Sequence, residues 1–173
     1  MGLAPTASTT AMLALGDALA VAVSGAKGFS EQEFALLHPG GALGKRLLTV
    51  RDVMRTGRTH PVVQASARVA VVLLAITKAR AGCASIVDKR GRLAGIFTDG
   101  DLRRHVETTP DLARRPIREV MTAHPKTIAP ERLAVEALRL LQQYQIDELP
   151  VVDARGRPLG LVDVQDLLKA GLV

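Results

Sequence analysis

The sequence predicts a mixed α/β fold: two strand–helix–strand–strand–helix units in tandem, with a helical segment ahead of them. Three observations carry the prediction. From Val50 onward the chain repeats itself. Arg51-Asp52-Val53-Met54 recurs as Arg118-Glu119-Val120-Met121, an offset of 67 between Val53 and Val120, and Asp101 recurs as Asp166 at an offset of 65. A period of this size marks duplicated structural units. Within each copy, apolar residues fall first at helical spacing and then in two short continuous runs. Those runs are joined by Asp88-Lys89-Arg90-Gly91 in one copy and Asp153-Ala154-Arg155-Gly156 in the other. Asp first and Gly fourth suit a type I turn.

Bulk composition narrows the function. Apolar residues make up 47% of the 173-residue chain and aromatics only 2%, so the core is built from Val, Leu, Ile and Ala. The net charge of +6 raises nucleic acid or an anionic ligand as partner. Lys and Arg are scattered, however, and one Tyr and three Phe offer little for base stacking, which argues against nucleic acid. The single Cys83 excludes an internal disulfide, fits a reducing compartment and reads as a buried, inert thiol. The apolar run from Met12 to Val23 is interrupted by Asp17 and is shorter than the roughly 20 residues a bilayer takes. The chain therefore reads as cytoplasmic, with no membrane partner.

Taken in order, Leu3-Ala4-Pro5 reads as the end of a buried strand and Thr6 to Thr10 as a polar loop. A helix is expected from about Ala11 to Ser24. Its apolar residues cover most of the circumference, which suits a helix inside a larger body. Either it closes a domain lying upstream or it is covered by a second copy or by the rest of this chain. Ser30 and Glu33 form a capping box, with Phe29 and Phe34 placed as a hydrophobic staple. Next comes His38-Pro39-Gly40-Gly41-Ala42-Leu43-Gly44, whose glycines and proline specify a particular backbone path. His38 titrates in the range useful to an acid or base, and an ordinary loop histidine is the competing reading.

In the first copy Val69, Val72, Leu73 and Ile76 line one helix face, as Ala134, Val135, Leu138 and Leu141 do in the second. A second helix opens at Asp101 or Asp166. Each half is too small for a secure core of its own, so the two pack together. The stretch Gly95-Ile96-Phe97-Thr98-Asp99-Gly100-Asp101 supports two readings. Thr98 and Asp101 are good helix caps in any protein. They also suit a nucleotide: free N–H groups and a hydroxyl for phosphate, a carboxylate for ribose hydroxyls. In the second copy Gly160-Leu161-Val162-Asp163-Val164-Gln165-Asp166 puts a carboxylate where Thr98 stood. Like charge makes that exchange poor for phosphate. One better nucleotide site is expected, with Thr98 and Asp101, beside a second that is empty or takes another ligand.

On this repeat and this motif, residues 50–173 resemble a tandem pair of CBS domains, with Gly95 to Asp101 matching that family's ribose-phosphate motif. The resemblance divides the chain into a first CBS domain at 50–112, a linker at 113–116 and a second at 117–173. It implies a regulatory adenine or cytidine nucleotide, or a nucleotide sugar, in clefts between the repeats, with no required cofactor, no metal and a homodimer. A base slot lined by His60 to Val62 and Ala84 to Ile86 follows, with Lys126 to Ile128 and Leu149 to Val151 in the other copy. Ligand contacts are thus expected at Gly95, Thr98, Asp101, Asp163, Asp166, His60, Val62 and Ile86.

Residues 1–45 add a second resemblance. Ala4 to Thr10, Gly16-Asp17-Ala18-Leu19-Ala20 and His38 to Gly44 are similar to the end of the sugar isomerase (SIS) domain of D-arabinose 5-phosphate isomerases. Those enzymes carry a CBS pair at the C-terminus. They interconvert D-ribulose 5-phosphate and D-arabinose 5-phosphate for synthesis of Kdo, a lipopolysaccharide sugar. The resemblance implies a catalytic role for His38. The rest of that family's catalytic domain would precede residue 1, so the chain is expected not to isomerise sugar phosphates by itself. A free-standing basic CBS adaptor, binding protein or nucleic acid, is the alternative.

Overall fold

The computed structural model describes residues 4–30, 33 and 41–172. They divide into two compact units, Met1–Gly44 and Lys45–Val173. Within the first, helix α1 spans Thr6–Ala26 with Pro5 at its N-cap. The hydroxyl-rich stretch is therefore the first turns of a helix, not a loop. Pro5 supplies a preset φ at the start. Thr9 and Thr10 donate their hydroxyls to the carbonyls of Pro5 and Thr6 at 2.9 Å each, so they need no turn to satisfy them. Ala4 lies in a bend, correcting the strand-end reading there. With those added turns α1 reaches 21 residues at a mean hydropathy of 1.4, long and apolar enough to cross a bilayer by length and composition alone. That corrects the shorter run expected from the sequence. No α1 residue is buried; Met12, Leu15 and Val21 are 63–74% exposed. The capping box forms, with Ser30 N donating to Glu33 Oε2 at 2.8 Å and Glu33 N to Ser30 Oγ at 3.2 Å. Phe34 and His38 lie outside the described residues.

The second unit begins with α2 (Ala42–Leu47, from Lys45 on) and α3 (Val50–Val53). The first repeat then runs β1 (Val62–Gln64), α4 (Val69–Ala79), β2 (Cys83–Val87), β3 (Leu93–Thr98) and α5 (Asp99–Val106). The second runs β4 (Thr122–Ala123), α6 (Ala134–Tyr144), β5 (Glu148–Val152), β6 (Pro158–Asp163) and α7 (Val164–Lys169). Both hairpin turns close as expected: Gly91 N donates to Asp88 O at 3.0 Å, and Gly156 N to Asp153 O at 2.9 Å. Each glycine has φ near +75°, where a side chain would be strained. The last helices begin earlier than the sequence suggested. Thr98 and Asp163 are themselves the N-caps, and Asp101 and Asp166 sit at N3.

The sheets show how the repeats are joined. The first has the order β1-β2-β3-β4, with β1 parallel to β2 and the other pairs antiparallel. Its last strand comes from the second repeat: Thr122 pairs with Ile96 and Ala123 with Gly95. The β5–β6 hairpin is flanked in the same way by two isolated bridges, Ile128 with Val151 and Arg55 with Leu161. The first strand expected in the second repeat is thus reduced to the Ile128 bridge. Each repeat lends a short segment to the edge of the other's sheet. Two glycines make the exchange possible. A Cβ on Gly95 would stand 2.8 Å from Thr122 O, and one on Gly160 2.7 Å from Arg55 O.

The cores follow this exchange. Val50 packs with Ile128, Leu141, Leu149, Val151 and Leu167 of the second repeat, whereas Leu112, Ile117 and Val120 pack with Val72, Ile86 and Phe97 of the first. Cys83, Ile96 and Leu161 form a small cluster joining the two sheets. Burying each large aliphatic or aromatic side chain contributes about 2–3 kcal/mol. The segments before each repeat are therefore anchored in the opposite half as firmly as in a continuous core.

Candidate ligand cleft

Thr98 and Asp101 are tied together as a reciprocal cap. Asp101 N donates to Thr98 Oγ1 at 3.2 Å, and Thr98 N to Asp101 Oδ2 at 2.9 Å. Asp101 is only 2% exposed, and its other oxygen accepts from Thr122 Oγ1 at 2.8 Å and from the Arg104 guanidinium at 2.5 Å. The helix-cap reading is therefore correct; Asp101, expected to meet a ribose, is held inside the fold and does not line the adjoining cavity, whereas Thr98 does. Thr98 and the start of α5 open into a cavity of about 640 Å³.

The walls of that cavity come from both repeats. The first supplies Ile96, Thr98, Asp99, Gly100, Arg103 and Arg104; the second supplies Thr122, His124 to Lys126 and Tyr144 to Glu148. The strand exchange positions Thr122, and the turn after α6 positions the Tyr144 to Glu148 segment. Lys126 Nζ lies 4.4 Å from the centroid of the Tyr144 ring. The cavity thus offers hydroxyl, cationic, aromatic and acidic surface together. Glu148 is the perturbed group: burial, then Asp163, Asp147, Asp99 and Asp101, push its carboxyl up to about 7.

The corresponding place in the second repeat is built differently. Arg55 takes the position of Thr122, and its Nε donates to Asp166 Oδ2 at 2.8 Å while Nη2 reaches Asp163 Oδ2 at 3.1 Å. The three side chains are 11–18% exposed. Burial works against the Arg55 charge, but hydrogen bonding and attraction from Asp166 and Asp163 outweigh it and raise its pKa above the ordinary value. An internal guanidinium therefore engages the carboxylates that a ribose would need.

The other expected contacts are dispersed. Gly95 and Gly160 face the opposite repeat's backbone. Ile86 is fully buried in the first core. His60 and Val62 line a different cavity, of about 550 Å³, with Gly57, Arg58 and Lys78. There His60 Nε2 hydrogen-bonds Ser85 Oγ at 2.9 Å, and burial lowers its pKa to about 4, so the ring is neutral at pH 7. Of the second-copy base slot, Lys126 alone shares the cavity with Thr98. The sequence reading missed Arg55, Thr122, Tyr144 and Glu148. The offset of 67 already aligns Arg55 with Thr122 and could have flagged the first two. Cys83 is fully buried, and burial with neighbouring carboxylates pushes its thiol up, so it is inert.

Comparison with known proteins completes the picture. The CBS domain family pattern matches residues 50–108 and 117–173. The chain belongs to the CBS domain family. This CBS pair is similar over its full length to the arabinose 5-phosphate isomerase KdsD of Pseudomonas aeruginosa, 47% identical over 174 residues, or 53% of that protein. The chain thus spans about half the length of the curated relatives it matches. Among solved structures, CBSX2 in complex with AMP is 25% identical, with a TM-score of 0.60 over 72% of this chain and 96% of that one. A CBS domain pair in complex with 5′-methylthioadenosine and S-adenosyl-L-methionine superposes with a TM-score of 0.65 over 73% of this chain and 99% of that one. At 22% identity it bears on the fold alone.

Proposed function

We propose that the chain is the nucleotide-sensing regulatory part of an arabinose 5-phosphate isomerase, binding one adenine or cytidine nucleotide, or a nucleotide sugar, in the cleft at Thr98. The observation that carries this reading is the cavity itself: a capped helix start with a hydroxyl, open to solvent and walled by both repeats. A ligand there touches the two halves at once and so senses their relative position. AMP in a related CBS structure supports the class of ligand. The KdsD relatives support arabinose 5-phosphate isomerisation as the regulated activity, and the family resemblance extends this to ribulose 5-phosphate/arabinose 5-phosphate interconversion for Kdo and lipopolysaccharide synthesis. The chain itself is proposed to be without isomerase activity, with His38 as one member of a catalytic set otherwise drawn from the remaining half of such an enzyme. A cytoplasmic location fits its free thiol. A homodimer fits the exposed apolar residues Val71 and Leu74 on α4, and light scattering on the purified chain tests it.

The ligand test uses a convenient property of the sequence. Tyr144 lines the cavity and is the only tyrosine in a chain without tryptophan, so its emission reports on this cleft. Titration with AMP, ATP, CMP and a cytidine-linked sugar, alongside thermal shift, is expected to give saturable binding with one site per chain. Asp101→Ala is expected to weaken it far more than Asp166→Ala. Stabilisation by none of the four, with salt-sensitive DNA binding, would favour the basic adaptor instead. Turnover of arabinose 5-phosphate by pure chain would overturn the proposed lack of catalysis.

A further inference from the structure

Glu148 stands out in the cleft because the fold gives it nothing to do there. It opens β5, directly opposite Asp163 of β6 in the sheet register. Its carboxyl rests against the backbone of the first repeat: a Cβ on Gly82 would lie 2.6 Å from Glu148 Oε1. Asp99 N in turn donates to Gly82 O at 3.1 Å, so the carboxyl sits beside the helix start that would receive a phosphate. Among the described residues it has no hydrogen-bond or ion-pair partner, although it lines the cavity.

Carboxylates crowd it, and no cation pairs with it among the described residues. Asp147 precedes it on its own strand end, Asp99 and Asp101 face it from α5, Asp163 from β6, and the Cys83 thiol lies on β2. Arg55 is held by Asp163 and Asp166, and Arg104 by Asp101. Arg103, Lys126 and His124 line the same cavity. A phosphate monoester carries about −1.5 to −2 charges at neutral pH. Placed at Thr98, it would meet an unpaired carboxylate in a partly desolvated cleft, where like charges repel strongly. Protonation of that carboxylate removes the repulsion and turns it into a donor.

We propose that Glu148 couples occupancy of this cleft to pH: a phosphate-bearing ligand binds with uptake of a proton at the Glu148 carboxyl. The inference rests on the nucleotide reading above and adds a regulatory input to it. Burial and the surrounding carboxylates already place this group's titration at about 7, inside the range a cell traverses. By linkage, affinity for a phosphate-bearing ligand then falls as pH rises through that value, because binding must first put a proton back.

The test is AMP titration of the wild-type chain and of Glu148→Gln at about pH 6 and about pH 8, by calorimetry with Tyr144 emission as a second readout. AMP's own second ionisation, near pH 6, is common to both proteins and cancels in the ratio of their affinities. The affinity of the wild type relative to Glu148→Gln is expected to fall on the order of tenfold between the two pH values, as one linked proton on a group titrating at about 7 requires. His124 lines the same cavity, so His124→Asn is the control and is expected to keep the dependence. A ratio that stays constant, or a dependence that vanishes in His124→Asn, overturns the inference while leaving nucleotide binding intact. Absence of AMP binding by both proteins at both pH values overturns the nucleotide reading and this inference with it. Should Glu148→Gln not fold, wild type and His124→Asn titrated with adenosine 5′-sulfate, whose charge is fixed, decide the matter. Affinity that does not fall with pH in either overturns the inference.

Discussion

Replacing Gly95 with alanine tests whether the exchanged strand edges hold the CBS pair together. The new Cβ would lie 2.5 Å from Met121 Sδ and 2.8 Å from Thr122 O. The thioether can swing aside; the carbonyl cannot, because Thr122 is held to β3 by the pairing with Ile96 and by its hydroxyl bond to Asp101. The strand must therefore move off by several tenths of an ångström, straining the Ile117 and Val120 anchors behind it. Overpacking of this kind costs about 1–3 kcal/mol. For a unit of this size, about 2 kcal/mol lowers the melting temperature by roughly 6–10 °C. Gly160→Ala is expected to do the same, since its Cβ would meet Met54 Sδ at 2.6 Å and Arg55 O at 2.7 Å. Gly16→Ala is the control: it lies in α1 with nothing within 4 Å of its added Cβ. Circular dichroism melts of the three variants measure the effect. If Gly95→Ala and Gly160→Ala melt with the wild type, the close approach of the exchanged segments is not what the structure shows.

Two further outcomes follow from the charged interior. Arg55→Ala leaves Asp163 and Asp166 facing each other half-buried, and is expected to cost about 2–3 kcal/mol in urea unfolding at neutral pH, less than a fully buried pair because the site is partly exposed. Arg55→Lys recovers only part of that, since an ammonium cannot fork between two carboxylates as a guanidinium does. The second outcome concerns acid. The His60 pKa is about 4 when folded, against an ordinary value of 6.5. The unfolded chain therefore takes up a proton first: the His60 contribution is complete above pH 6.5 and is lost as pH falls toward 4. Melts of the wild type and His60→Gln across that interval are expected to converge at the acid end.

The repeat, its turns and its helices were legible because they rest on local rules. Asp88 and Gly91 make their turn from neighbouring atoms alone, and Val69, Val72 and Ile76 reach one core from one helix face. What escaped was non-local. Nothing near Thr122 in sequence says that its hydroxyl will reach Asp101, 21 residues away, or that Arg55 will cross to Asp166. The resemblance implies a base slot at His60 to Val62 and Ala84 to Ile86, with Lys126 to Ile128 and Leu149 to Val151 in the other copy, and of these only Lys126 lines the cavity at Thr98. The exchange instead sets Lys126 and Glu148 against Thr98 and leaves His60 to another cavity. The Thr6 to Thr10 stretch failed for a smaller reason: hydroxyls that usually favour turns are satisfied here by backbone carbonyls one turn back.

The borrowed edges also say something about how such a chain could arise and be taken apart. A single ancestral copy could have built this unit as a symmetric two-chain assembly, each subunit lending its leading segment to the other, and gene fusion would then add only a tether. Fragment complementation is the laboratory counterpart. A backbone cut in the largely exposed stretch from Glu107 to Asp111 would leave Val50 and Arg55 on one piece, and Ile117, Val120 and Thr122 on the other. Each piece then carries the missing edge of its neighbour, so the two are interlocked without a covalent link. Neither half completes its own sheet edge, so a shift of one sheet is felt at the margin of the other.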